Sequence, residues 1–188
     1  MKKILMRTSL VLLLVFGMAA NAAALPMISG AVSFSGTSSF DNSNLTLATK
    51  FLSFSVATVS GTGGSGSYSG LTAGTPVTFP ATGFTFFPAL SPNPLVPLWT
   101  ATVGSTTYSL DALGLTILFR NASNITLEGP GMAHITGFAD TPGTWSITAN
   151  TAGATASFSA GTVVPEPLTL ILFGSGLIGL AGLRRKLS

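Results

Sequence analysis

The chain has 188 residues and no cysteine, which leaves room for one domain with a segment at each end and excludes disulfides, thiolate metal sites, a cysteine nucleophile and a lipid-modified N-terminal cysteine. Its formal charge is +3, but the basic residues cluster at the two ends: Lys2, Lys3 and Arg7, then Arg184, Arg185 and Lys186. Between Leu25 and Val164 only Lys50 and Arg120 stand against Asp41, Asp111, Glu128 and Asp140, so the central stretch is mildly acidic and nucleic acid is excluded as a partner.

Met1–Ala24 reads as a secretory signal peptide. Lys2, Lys3 and Arg7 form its basic start and Leu10–Ala20 its apolar core. Ala20-Asn21-Ala22 and Ala22-Ala23-Ala24 both fit the small-x-small cleavage rule. Cleavage is expected after Ala24, with Ala22 as the alternative site.

From Ile28 the apolar period becomes two, as in a half-buried strand. Ile28, Val32 and Phe34 alternate with Ser29, Ser33 and Ser35, and Phe51–Val59 is a second such run. Gly61-Thr62-Gly63-Gly64-Ser65-Gly66 is a flexible connector. It lacks the Lys-Ser/Thr ending of a phosphate loop. Val77–Phe79 and Phe84–Phe87 read as short aromatic strands, and the proline-dense stretch Pro88 to Pro97 as a surface crossing. Trp99–Val103, Thr106–Leu110 and Leu115–Phe119 read as a meander. Asn124–Leu127 is a strand that Gly129-Pro130-Gly131 should end, with Met132–Thr136 after it. Asp140-Thr141-Pro142-Gly143 has the chemistry of a turn. Trp145–Ala149 and Ala154–Phe158 complete the set. Many short strands without an amphipathic helix predict an all-β fold, an antiparallel β-sandwich or jelly-roll-like domain over residues 25–162. About 140 residues can bury enough apolar area to fold without disulfides.

Glycan hydrolysis needs two carboxylates across a cleft, and Asp41, Asp111, Glu128 and Asp140 are the candidates. Three of them fall in predicted turns, where Asp is an ordinary turn former. His134 is the single histidine. With Glu128 and Asp140 it would make an acid-base or metal cluster; in the alternating run Met132–Thr136 it equally fills a sheet face. No Gly-x-Ser-x-Gly elbow precedes a helix, and no Asp-rich calcium loop is present. No catalytic residue, cofactor or metal site is expected. Tyr68, Trp99, Tyr108 and Trp145 would stack on sugar rings if they share an exposed face, or supply core area if they do not.

The C-terminus carries the clearest signal. Leu168–Leu183 holds 16 residues without charge or proline. As a helix it would span about 24 Å, short of the roughly 30 Å hydrocarbon core but extendable where basic side chains reach the interface. Arg184, Arg185 and Lys186 follow and would stay cytoplasmic, leaving the preceding domain outside. Pro165 and Pro167 bracket Glu166 and favour an extended strip at the outer boundary. Such a strip suits a protease cleft, and also a plain spacer before an anchor.

Val164-Pro165-Glu166-Pro167, a short Gly-rich apolar run and a terminal basic cluster together resemble the PEP-CTERM sorting signal of Gram-negative bacteria that make exopolysaccharide. The resemblance covers about Val163 to Ser188. It implies a transmembrane helix over 168–183 and recognition of Pro165, Glu166 and Pro167 by an exosortase, an inner-membrane cysteine protease or transpeptidase. Export by the Sec translocon and signal peptidase, a transient stay in the inner membrane, and delivery to the cell surface or exopolysaccharide matrix would follow. The expected architecture is therefore a signal peptide (1–24), an exported domain (25–162) and a sorting segment (163–188). The expected role is a non-enzymatic surface or biofilm protein, with a carbohydrate-binding module as the alternative and a glycan hydrolase behind it.

Overall fold

The computed structural model describes residues 25–151 and, as backbone, the strand at 155–162. The two ends, 1–24 and 163–188, lie outside these residues, and with them the expected signal peptide and transmembrane helix. Among the described residues no helix is long and apolar enough to cross a membrane.

The described fold is the all-β antiparallel one that the alternation predicts. Nine strands run in order: β1 (Gly30–Phe40), β2 (Lys50–Val59), β3 (Phe84–Thr85), β4 (Leu95–Val103), β5 (Thr106–Ala112), β6 (Thr116–Arg120), β7 (Asn124–Ile135), β8 (Thr141–Asn150) and β9 (Thr155–Thr162). They form one sheet in the order β3-β2-β1-β9-β8-β7-β5-β4, with β6 also on β7. Residues 75–79 then join its two ends. Val59 N–H donates to Thr75 O and Val77 N–H to Ala57 O on one side, and Thr78 and Thr100 exchange both backbone bonds on the other. The sheet thus curls around a single core instead of leaving β2 and β4 as full edges.

Alternation puts Val32 and Phe34 of β1, Trp99 and Ala101 of β4, Leu110 of β5, Ile125 and Leu127 of β7, and Trp145 and Ile147 of β8 inside, and an irregularity in β4 between Leu95 and Trp99 buries Leu98 beside them. Phe34 meets Trp99 edge-on at 4.6 Å and Phe79 at 6.3 Å, so the closing segment is packed as well as bonded. Hydroxyls and amides take the outer positions. Thr37–Ser55, Ser39–Ser53 and Thr126–Thr148 pair across neighbouring strands.

Two expected turns are absorbed into strands. β7 runs through Gly129-Pro130-Gly131 because β6 pairs with it only as far as Glu128 and β5 from Gly131 onward. Pro130 therefore sits at the hand-over, where its missing N–H leaves no ladder position unfilled. A Cβ on Gly129 would lie 2.0 Å from Gly114 O, so only glycine lets the two backbones approach. Thr141-Pro142-Gly143 opens β8, because the ladder toward β9 starts at Gly143 opposite Thr162 and Pro142 needs no donor there. The chain reverses earlier, with Gly137 at φ +86°.

The structure has two rims. At one, Gly30 and Gly143 flank Thr162, and the hairpin at Gly104-Ser105 and the turn at 136–139 lie beside them; this is the tail-proximal rim. At the distal rim Asp41 binds Thr49 N–H (2.8 Å) and Lys50 N–H (3.2 Å). There too the Arg120 guanidinium donates to the carbonyls of Leu45 and Ala48 and lies over the Phe87 ring.

Two expectations follow. Ser35 and Thr37 of β1 pair with Thr58 and Ser55 of β2, leaving Val56 in a bulge at φ +52° and 83% exposed. A β-branched residue is strained there. Val56→Gly should raise the unfolding free energy by about 1 kcal/mol, less any entropic loss from glycine, read as a higher urea midpoint. Second, β9 pairs with both β1 and β8. A chain ending at Thr162 should keep the cooperative unfolding transition and β circular dichroism of the full chain. One ending at Thr151 opens two strand edges and should lose that transition.

Candidate functional site

The structure assembles one cluster of titratable side chains on the outer face near the tail-proximal rim. His134 alternates outward on β7, between the buried Ala133 and Ile135. Across the β5–β7 ladder it faces Ser109, and Asp111 lies opposite Met132. Asp111 is thus two residues along the same face, within diagonal reach. The reversal at 136–139 brings Asp140 to the other side of the ring. His134 Nδ1 lies 2.8 Å from Asp140 Oδ1, and Nε2 lies 3.1 Å from Asp111 Oδ2. Asp140 is exposed, while His134 and Asp111 are half-buried.

Both carboxylates accept only if both ring nitrogens donate, which requires the imidazolium. A neutral ring would turn one lone pair toward a carboxylate. Burial of the ring by itself lowers its pKa and is the largest single influence. The hydrogen bonds from Asp140 and Asp111, with their two charges, outweigh it and hold the pKa above the ordinary 6.5. The arrangement keeps a proton; it leaves no nitrogen free to take one from a serine or a water. Among the described residues no group of three His, Cys, Asp or Glu side chains is placed to hold a metal ion.

Of the two carboxylates considered as partners for His134, Asp140 is brought beside it and Glu128 is not. It stands at the other half of β7, six residues or roughly 20 Å of strand away. It lines an outer-face groove of about 510 Å³ with Thr116, Pro130, Thr144, Trp145 and Ser146. The groove exists because β6 hands over to β5 at Gly129-Pro130. Beneath it the Trp145 indole N–H donates to Pro130 O at 3.1 Å, which holds the ring in the core. Asp41 is the turn former that its sequence context predicts. The Asp111–His134 contact was out of reach of sequence reasoning, because it depends on β5–β7 register across 23 residues.

The four aromatic candidates for sugar stacking resolve in favour of the core. Tyr68, Trp99, Tyr108 and Trp145 are 0%, 1%, 6% and 2% exposed. Among the described residues the buried Tyr68 hydroxyl has no hydrogen-bond partner, and burial pushes its pKa up to about 12. The sorting residues Val164, Pro165, Glu166 and Pro167, the basic anchor Arg184, Arg185 and Lys186, and the cleavage residues Ala22 and Ala24 all lie outside the described residues.

For the cluster the pH sign follows from the raised pKa. The folded state holds a proton that the unfolded chain releases near pH 6.5. The stabilisation is therefore complete below that pH and is lost as pH rises through the folded-state pKa. The urea midpoint of the native chain should fall between about pH 6 and pH 8.5, while that of His134→Gln stays level across the same range. Asp140→Asn, which keeps an acceptor but removes a charge, should give an intermediate slope.

Comparison with known families assigns the end of the chain. Residues 163–186 match the model of the PEP-CTERM protein-sorting motif. The match begins one residue after β9 ends and covers none of the β domain. No curated protein and no solved structure matches the chain.

Proposed function

We infer from the PEP-CTERM sorting motif at residues 163–186 that the protein is exported, sorted through a membrane-anchored C-terminus and processed by an exosortase. We propose that the protein is a non-enzymatic surface or matrix protein of a Gram-negative bacterium, released by that exosortase to associate with exopolysaccharide in a biofilm. The observation that carries this reading is the junction at Thr162. The last strand pairs through Thr162 with Gly30 and Gly143, and the matched motif starts at 163. Cleavage within Val164–Pro167 would remove the tail without breaking a ladder bond, so the released domain stays folded.

The outer face supports the matrix role. It presents Ser and Thr hydroxyls paired across strands, in a chain with only 7% charged residues. Hydroxyls both donate and accept, as sugar hydroxyls do. The non-enzymatic reading is supported by His134, whose two nitrogens each face a carboxylate. Carbohydrate binding at one defined site is the second reading, and the Glu128–Trp145 groove favours it. Contacts there would be polar, since the aromatic rings are in the core.

The test is the intact mass and C-terminal sequence of the mature protein from its host, with and without the exosortase. A product ending in the Pro165-Glu166-Pro167 region only when the enzyme is present is the expected result. A full tail in both strains would mean an ordinary single-span anchor and would overturn the sorting reading.

A further inference from the structure

We infer that the tail-proximal rim is a membrane-apposed surface, and that while the chain is anchored Leu25, Met27 and Val103 seat it on the lipid interface. The inference rests on the reading of residues 168–183 as a membrane segment.

Two observations place the contact, and a third bears on its strength. The first is the length of the link. Five residues, 163–167, separate Thr162 from the apolar run that begins at Leu168. Fully extended they reach at most about 18 Å, less than the length of β7. The end of the domain that carries Thr162 therefore cannot leave the bilayer surface, and the distal rim cannot reach it.

The second is the composition of that end. Leu25, Met27 and Val103 are 58%, 37% and 40% exposed. They come from separate parts of the sequence and are joined by backbone bonds. Met27 bridges Ala139, and Ala139 N–H donates to Pro26 O. Thr136 N–H donates to Thr107 O, next to the hairpin whose last β4 residue is Val103. Ile28 N–H donates to the buried Thr141 Oγ1 at 3.0 Å, which holds the N-terminal segment against the turn. Exposed apolar side chains occur elsewhere too, Leu47, Leu118 and Phe119 among them, so it is the short link that selects this end; an interfacial seat then takes its apolar side chains without a pocket.

The third is charge. The titratable groups beside this rim among the described residues are Asp111, His134 and Asp140. His134 sits between the two carboxylates, so when protonated it reduces their repulsion from an anionic leaflet.

The absence of native cysteine makes the test direct. Ser105→Cys places a fluorophore on the tail-proximal hairpin and Ala122→Cys places one on the distal rim; both positions are exposed. The full chain is reconstituted into phosphatidylethanolamine–phosphatidylglycerol vesicles containing spin-labelled headgroup lipid. The Ser105→Cys label should lose most of its emission and the Ala122→Cys label should keep it. In a chain ending at Thr162 both labels should keep it. Equal quenching at the two positions in the full chain overturns the inference. A full chain carrying Leu25→Ser, Met27→Ser and Val103→Ser should recover emission at position 105. Unchanged quenching in that variant, with its circular dichroism intact, reduces the contact to tethering and overturns the seating. These readings use no exosortase, so they stand or fall apart from the processing experiment.

Discussion

Closure of the sheet by residues 75–79 is the constraint on which the rest depends. Without the bonds from this segment to Ala57 and Val59 on one side and to Thr100 on the other, β2 and β4 would be open along the stretch where the aromatic core is thickest. Phe79 comes with it and packs on Phe34 and Phe54. The same closure sets which residues face out, because each strand of a curled sheet has one inward and one outward row. The hydroxyl-lined exterior, the His134 cluster and the buried indoles all follow from that division.

The position of β9 links fold to sorting. It is the last of the described strands but lies between β1 and β8. Its pairing joins the beginning and end of the domain, a long-range contact that forms only when nearly the whole chain is available. Its C-terminal end emerges beside the N-terminal segment. In the proposed anchored state, attachment would act on one rim only, with the distal rim and its Arg120 and Asp41 clamps on the far side.

The chemistry on the surface is of a holding kind. Asp41 secures a turn, Arg120 secures the 42–49 loop, and Asp111 and Asp140 secure an imidazolium. Asp41, Arg120, Asp111, His134 and Asp140 are each paired with donors or acceptors of their own chain, and Glu128 is the carboxylate that faces a groove. A domain this poor in charge uses its ionic groups to stabilise connections, and its neutral polar groups to meet solvent.

The all-β class, the strand alternation around Phe34, Phe51 and Trp145, and the sorting motif at the C-terminus were legible in the sequence alone. Period-two burial and the Val-Pro-Glu-Pro, apolar and basic succession are local patterns, carried by neighbouring residues. The continuity of β7 through Gly129-Pro130-Gly131 was not legible, because local turn chemistry is overridden when two strands share one edge of a third. Nor was the burial of Tyr68, Trp99, Tyr108 and Trp145, since exposure depends on which face the sheet curls around. The Asp111–His134–Asp140 cluster and the apolar rim of Leu25, Met27 and Val103 are products of register and closure. Only the tertiary structure decides them, because it alone brings residues far apart in the chain within hydrogen-bond or van der Waals reach.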